Sequence, residues 1–399
     1  MPGDGAPVTH QSMKKHLHFD LEEYAARQTA TLRALKARNL DGLLIFRQES
    51  MYYLTGYDTF GYVHFQALLL DADGHLCLLT RAPDRLQAEF TSVIEDIRVW
   101  VDGEGADPYR ELGLILAERG LRGGCIGIEL EAYGLTAAKG LGVLHALEGL
   151  CDHEDASDLV SRQRLIKSPA ELTYVRRAAE LADVSLQAAE RLTAPGAYEG
   201  DILAAMQAAV FKGGGDDPAN ETIIGSGPGS LMCRYFTGRR HLAAVDQLTL
   251  EFAGVYRHYH ACLMRTLMVG RAAPDQVSMH AAALDSMQAA REALRPGRPI
   301  GEVFDAHART LDAAGHRDHR MNACGYSLGT TFAPNWMDWP MFYAGNPVIA
   351  EPGMVYFIHI ILFDKDRELA MTLGQTVEVT DQGNDALSKA PLDLIVRMA

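Results

Sequence analysis

A chain of 399 residues has room for two domains of ordinary size, each with its own core. With 48% hydrophobic and 22% charged residues it has the balance of a folded globular protein and not of a disordered one. Its formal charge of −15 argues against nucleic acid or an anionic membrane as partner, since both call for a basic surface. Six cysteines are scattered without a Cys-x-x-Cys pair, the usage expected of free thiols in a reducing cytoplasm. Residues 1–19 lack the apolar run of a signal peptide, and no stretch approaches the roughly 20 apolar residues of a membrane helix. A cytoplasmic location is expected.

After an amino-terminal tail over residues 1–19, Asp20 to Glu23 reads as a capping box. The helix it opens keeps its apolar spacing through Leu32 and Leu35 and stops at Asn39 and Gly42. Residues 42–46, 52–57, 65–70 and 75–80 are short β-type runs, parted by turn residues such as Asp73 and Gly74. A helix over 109–120 and a strand over 125–130 complete a compact α/β domain, expected over residues 20–157. The charged stretch 157–167 reads as a connector. Ser168, Pro169 and Glu171 then make the strongest helix start in the chain, with serine as cap, proline in the first turn and glutamate three residues on. This helix is expected through residue 192, with a second over 201–211. Runs at 221–227, 248–256, 258–270, 354–363 and 375–381 read as strands, and 280–294 and 300–315 as helices. No internal repeat or low-complexity tract interrupts them. The second domain, residues 158–399, is therefore expected to be α+β, with helices backing a curved and mostly antiparallel sheet.

The order of motifs resembles the creatinase/aminopeptidase P superfamily, whose catalytic domain has the pita-bread fold. Residues 167–171 with 174–179 resemble the helix that opens that domain. Residues 224–227, 250–254 and 264–266 resemble its central hairpin, and 325–329, 352–355 and 376–380 its later strands. Residues 53–58 resemble a motif of the family's amino-terminal domain. The resemblance runs over roughly residues 20 to 385. Within the superfamily, residues 251–254, 259–266 and 325–329 look closest to ectoine-hydrolase-like members, which open a cyclic C–N bond without a metal. Residues 334–336 resemble a Pro-Asp-Trp stretch found there, with Asn335 in place of the aspartate.

The metallopeptidases of this fold hold two divalent ions with two aspartates, one histidine and two glutamates. At the matching positions stand Glu251, Cys262, Tyr326, His359 and Gly374. Hard oxygen ligands suit such ions, and glycine supplies none. No metal and no cofactor is expected, with a single ion on Glu251, Cys262 and His359 as the metal-binding alternative. The histidine that the family carries after its Ser-Gly turn is also replaced, by Cys233 or Arg234.

A carboxylate inside the apolar strand at Glu251 needs a reason, because burying it unpaired costs several kcal/mol. It serves either as nucleophile or general base with a raised pKa, or as a structural partner of Arg265 or a histidine. Period-two alternation puts His258, His260, Cys262 and Met264 on one strand face. His260 is then the leading proton-transfer candidate, or else a satisfied core histidine, and the same pair of readings applies to His359. Cys262 lines the pocket or acts as a nucleophile if a base favours its thiolate. Tyr326, Trp336, Asp338 and Arg234 are expected around the substrate. Trp336 and Asp338 belong, with Phe332, Trp339 and Tyr343, to an aromatic-rich loop that walls a pocket, closes as a lid or makes a dimer contact. The resemblance brings Tyr57, Asp58 and Tyr62 near the cavity of the same or a partner subunit, with ordinary strand packing as the alternative. Together these residues suggest a metal-independent hydrolase of a C–N bond in a small amino-acid-like or cyclic amidine substrate. The resemblance implies a homodimer. Rival readings are a lyase or biosynthetic cyclase, a non-catalytic ligand-binding protein, and an Xaa-Pro metallopeptidase.

Overall fold

The computed structural model describes residues 15–234 and 238–398, as two compact units that divide between Gln163 and Arg164. Most of the expected tail lies outside the described residues, as do Tyr235 and Phe236. Among the described residues no helix is long and apolar enough to cross a membrane.

The first unit comprises α1 (Leu21–Ala37), β1 (Gly42–Ile45), α2 (Gln48–Thr55), β2 (Ala67–Asp71), β3 (Leu76–Arg81), α3 (Ala82–Thr91), β4 (Asp96–Trp100), α4 (Pro108–Glu118), β5 (Cys125–Ile128), α5 (Ala137–Leu147), β6 (Asp152–Asp155) and α6 (Ser157–Leu165), whose last turn crosses the division. Its six strands run in the order β4-β3-β2-β1-β5-β6. The meander β1-β2-β3 is antiparallel, while β4, β5 and β6 join it in parallel. Strand alternation sends Leu43, Ile45, Leu68 and Leu70 to one face against Leu35, Met51 and Leu54 of α1 and α2. It sends Leu44, Leu69, Ile126 and Ile128 to the other, against α4 and α5.

Three local expectations change. Residues 52–57, read as a strand, mostly lie in helix α2, which Gly56 ends in a left-handed conformation at φ +83°. The carboxylate of Glu129, fully buried, accepts from the Phe46 and Arg47 amides at 3.1 and 2.9 Å and from the Ser50 hydroxyl at 2.7 Å, so a distant residue anchors the chain where this helix begins. Asp20 does precede α1, but its side chain makes no capping bond. The charged stretch taken as a connector is helix α6.

The second unit adds α7 (Pro169–Leu192), α8 (Glu199–Lys212), β7 (Ile223–Ser226), β8 (Asp246–Tyr256), β9 (Tyr259–Val269), α9 (Pro274–Ala293), α10 (Gly301–Ala313), β10 (Gly325–Ser327), β11 (Asp338–Met341), β12 (Val355–Asp364), β13 (Leu369–Thr380), β14 (Gly383–Ala386) and β15 (Val396–Arg397). The box at the start of α7 forms as read: Ser168 Oγ accepts from the Glu171 amide at 3.2 Å, and Glu171 Oε2 from the Ser168 amide at 2.9 Å. The curled sheet follows the order β11-β10-β12-β13-β9-β8-β7 through antiparallel pairs. β14 continues from β13, and β15 lies parallel to β9.

Helices cover one face of this sheet. Tyr356, Ile358, Ile360 and Leu362 of β12 meet α9 and α10, while Leu248, Leu250 and Phe252 of β8 and Leu263 of β9 meet α7 and α8. Gly254 lets β8 approach α7 closely, since a Cβ there would stand 2.1 Å from the Ala178 carbonyl oxygen. The alternation that buries those apolar positions turns Glu251, Cys262, Phe357 and His359 to the opposite face.

Candidate active site

Glu251 comes from the middle of β8, Tyr326 from β10 and His359 from β12; Trp336 lies in the loop between β10 and β11. The Tyr326 hydroxyl donates to Glu251 Oε1 at 3.1 Å and accepts from the Trp336 indole N–H at 2.8 Å. The Trp336 backbone N–H in turn donates to Asn220 Oδ1 at 3.1 Å. Hydrogen bonds donated by Trp336 to Asn220 and Tyr326, and by Tyr326 onward, thus link Asn220 to the carboxyl group. Its far end is open: among the described residues Glu251 Oε2 has no hydrogen-bond partner, and it is not sealed from solvent. The His359 ring packs against Tyr326 and Phe357, with centroids 5.6 Å apart in each case. Among the described residues its Nδ1 is sealed without a partner, which leaves Nε2 as its open nitrogen.

Burial sets the electrostatics of this group. It pushes the Glu251 carboxyl up to about 7, against the pull of the Tyr326 hydrogen bond and the Arg234 charge. The Tyr326 phenol is driven well above its usual range by burial and then by Glu251, so it stays protonated and acts as a donor. Burial brings His359 down to about 4, leaving a neutral imidazole at neutral pH. The buried Cys262 thiol is pushed well up, first by desolvation and then by Glu251, so it carries no thiolate character.

The other expected site residues have their own surroundings. His260 is buried with both ring nitrogens engaged: Nε2 accepts from the Ala219 amide at 2.9 Å, and Nδ1 lies 2.9 Å from the His258 carbonyl oxygen. Asp338 is ion-paired with the buried Arg164 and accepts from the Trp339 amide. Tyr57 is sealed in the core of the first unit, where its hydroxyl donates to Gln66 Oε1 at 3.2 Å. Asp58 accepts from Gln87 through its backbone carbonyl at 2.7 Å, and Tyr62 is buried in the same unit. Arg234 is exposed, and its charge is felt by Glu251, His359 and the half-buried Cys233. The segment bearing Cys233 and Arg234 is fastened at both ends by the buried Glu199, which accepts from the Ser226 amide at 2.7 Å and the Arg240 amide at 2.9 Å. Sequence reasoning missed Asn220, Phe357 and Glu199. None belongs to a motif, and each acts on a residue far away in sequence.

The donor set does not fit a two-metal centre. Glu251 Oε1 is occupied by a phenol that stays protonated, Cys262 presents a neutral thiol, and Gly374 has no ligand atom. A Cβ at Gly374 would stand 2.6 Å from Phe357 Cζ and 2.8 Å from Met264 Cβ, so an aromatic ring fills the space a glutamate would enter. Among the described residues no three His, Cys, Asp or Glu side chains are grouped to hold a metal ion.

The profile of metallopeptidase family M24 matches residues 173–381, and that of the creatinase/prolidase N-terminal domain matches residues 27–166. Ectoine hydrolase of Halomonas elongata is 26% identical over 398 residues, covering 96% of this chain and 99% of that protein. The probable dipeptidase PepE of Mycobacterium bovis is 27% identical over 382 residues, covering 95% of this chain and 98% of that one. The crystal structure of dipeptidase PepE from Mycobacterium ulcerans has a TM-score of 0.83 at 25% identity, over 96% of this chain and 100% of that chain.

Proposed function

We propose that this chain, which belongs to metallopeptidase family M24 and carries that family's creatinase/prolidase N-terminal domain, hydrolyses a C–N bond of a small amino-acid-like or cyclic amidine compound without a metal ion. The observation that carries this reading is the buried Glu251 carboxyl group, with one oxygen on Tyr326 and the other open, which burial pushes up to about 7. A carboxyl group poised there can both take and return a proton at neutral pH.

In the proposed reaction, ionised Glu251 takes a proton from a water molecule as that water's oxygen bonds to the electrophilic carbon. The neutral acid then returns the proton to the leaving nitrogen as the C–N bond breaks, so one water is consumed and a carbonyl and an amine remain. Tyr326 supports the ionised state by donating to Oε1. His359, neutral with Nε2 open, orients the substrate, and Trp336 and Cys262 line its pocket. Arg234 would hold a substrate carboxylate. His260 takes no part in proton transfer, because both of its ring nitrogens are committed.

Similarity to a probable dipeptidase favours peptide hydrolysis as a second reading; the donor set argues against its metal-dependent form. The test is to incubate chelator-treated protein with ectoine, creatine and Xaa-Pro dipeptides. Turnover of a non-peptide C–N substrate, lost in Glu251→Gln, is expected. Cleavage of Xaa-Pro dipeptides alone, and only after a divalent metal is added, would overturn the proposal.

A further inference from the structure

We infer that His260 is a positioning residue: through the Ala219–Asn220 segment it fixes the indole of Trp336, which holds Tyr326 against Glu251. This inference rests on the reading of Glu251 above for its effect on turnover. Its geometric part stands alone.

A backbone N–H can only donate, so the 2.9 Å bond from the Ala219 amide makes His260 Nε2 an acceptor. The ring hydrogen is therefore on Nδ1, where the His258 carbonyl oxygen accepts it at 2.9 Å. Thr331 Oγ1 stands 3.2 Å from the same nitrogen. The imidazole is 1% exposed, and burial takes it down to about 3, so this tautomer persists across the physiological range. Around the ring, the His260 amide donates to the Gly329 carbonyl at 3.1 Å and the Thr331 amide to the His258 carbonyl at 3.2 Å. His260 thus clamps the segment before β7 to the segment after β10.

The next link is immediate in sequence. Asn220 follows Ala219, and its Oδ1 accepts the Trp336 backbone N–H at 3.1 Å. Trp336 is 2% exposed and has its indole N–H on Tyr326 Oη. Three segments distant in sequence therefore meet through one neutral ring, and the Tyr326 hydroxyl receives its direction from them. Losing the acceptor at Nε2 frees the Ala219 amide and slackens the Asn220 anchor, which turns the indole and weakens the donor on Glu251.

Two conservative replacements separate the bonds. Glutamine can reach Ala219 with its side-chain oxygen, whereas asparagine reproduces only the donor near His258. The experiment records the indole ¹H–¹⁵N signals of the full chain, which has 3 tryptophans, with Trp336 assigned through Trp336→Phe. In His260→Gln the Trp336 signal is expected to stay in place. In His260→Asn and His260→Leu it is expected to move, while the Trp100 signal does not. With a substrate that wild type turns over, kcat should fall about tenfold in His260→Asn, with KM changed much less, and recover in His260→Gln. An unmoved Trp336 signal in folded His260→Leu, or equal shifts in the Gln and Asn variants, would overturn the inference. If wild type turns over no candidate substrate, the proposed function fails and the indole signals still decide the positioning role.

Discussion

The Tyr326 hydroxyl lies 3.1 Å from Glu251 Oε1 while accepting from Trp336, so the only hydrogen the phenol owns is aimed at the carboxyl group. Burial raises the affinity of Glu251 for its proton, and this donor opposes the rise more than the Arg234 charge does. Tyr326→Phe removes the larger part of that opposition. The Glu251 pKa should climb above about 7, carrying the acid limb of the kcat/KM profile upward. At pH 7 the loss in kcat/KM should be roughly ten- to hundredfold, the worth of one hydrogen bond to a charged group. A pH–rate profile checks both the direction and the size.

Glu251→Gln separates catalysis from stability. In the folded chain burial pushes this carboxyl up to about 7, from 4.5 as its ordinary value. A raised acid pKa favours the folded state fully below the unfolded value, and that advantage is lost as pH rises towards the folded one. Wild type should therefore lose roughly 1.4 kcal/mol per pH unit across that window on this account. Glutamine has no proton to lose, so the variant should be inactive yet gain stability relative to wild type between pH 4.5 and 7, with the difference level above. Denaturant melts at several pH values measure this, and a pH-independent difference would contradict it.

In the first unit, Glu129 satisfies two backbone amides and the Ser50 hydroxyl at the start of α2. Glu129→Ala leaves three buried donors without an acceptor and should cost about 2–4 kcal/mol in urea unfolding. Glu129→Gln can keep its oxygen on the two amides and offer its NH2 to Ser50, so it should stay within about 1 kcal/mol of wild type.

Gly374 and Phe357 share one space. Gly374→Ala should destabilise by about 1–3 kcal/mol, because the added methyl meets Phe357 Cζ and Met264 Cβ. In a double-mutant cycle, Phe357→Leu should recover part of that loss. Purely additive effects would show that the ring does not fill the position.

Much of the fold was legible in residue patterns. The box at Ser168 and Glu171, and the period-two burial of β8 and β9, are local signals that the packing reinforces. Helix α2 escaped because seven of its eight residues are buried, which leaves no polar face to set a helical period. The positions of Glu251, Tyr326 and His359 followed from motif order. The engagement of His260 did not, since its partner Ala219 lies 41 residues away, and the Trp336 anchor at Asn220 spans 116. Asp338 looked available for a ligand in sequence, whereas its partner Arg164 comes from the end of a helix far upstream.

The most direct measurement is a titration of the Glu251 carboxyl group itself by isotope-edited infrared spectroscopy on chelator-treated protein, using Glu251→Gln to identify its band. The band should change from acid to carboxylate with a midpoint near 7, and that midpoint should rise in Tyr326→Phe. A midpoint in the ordinary carboxylate range, or one that drops when a divalent metal is added, would contradict the account.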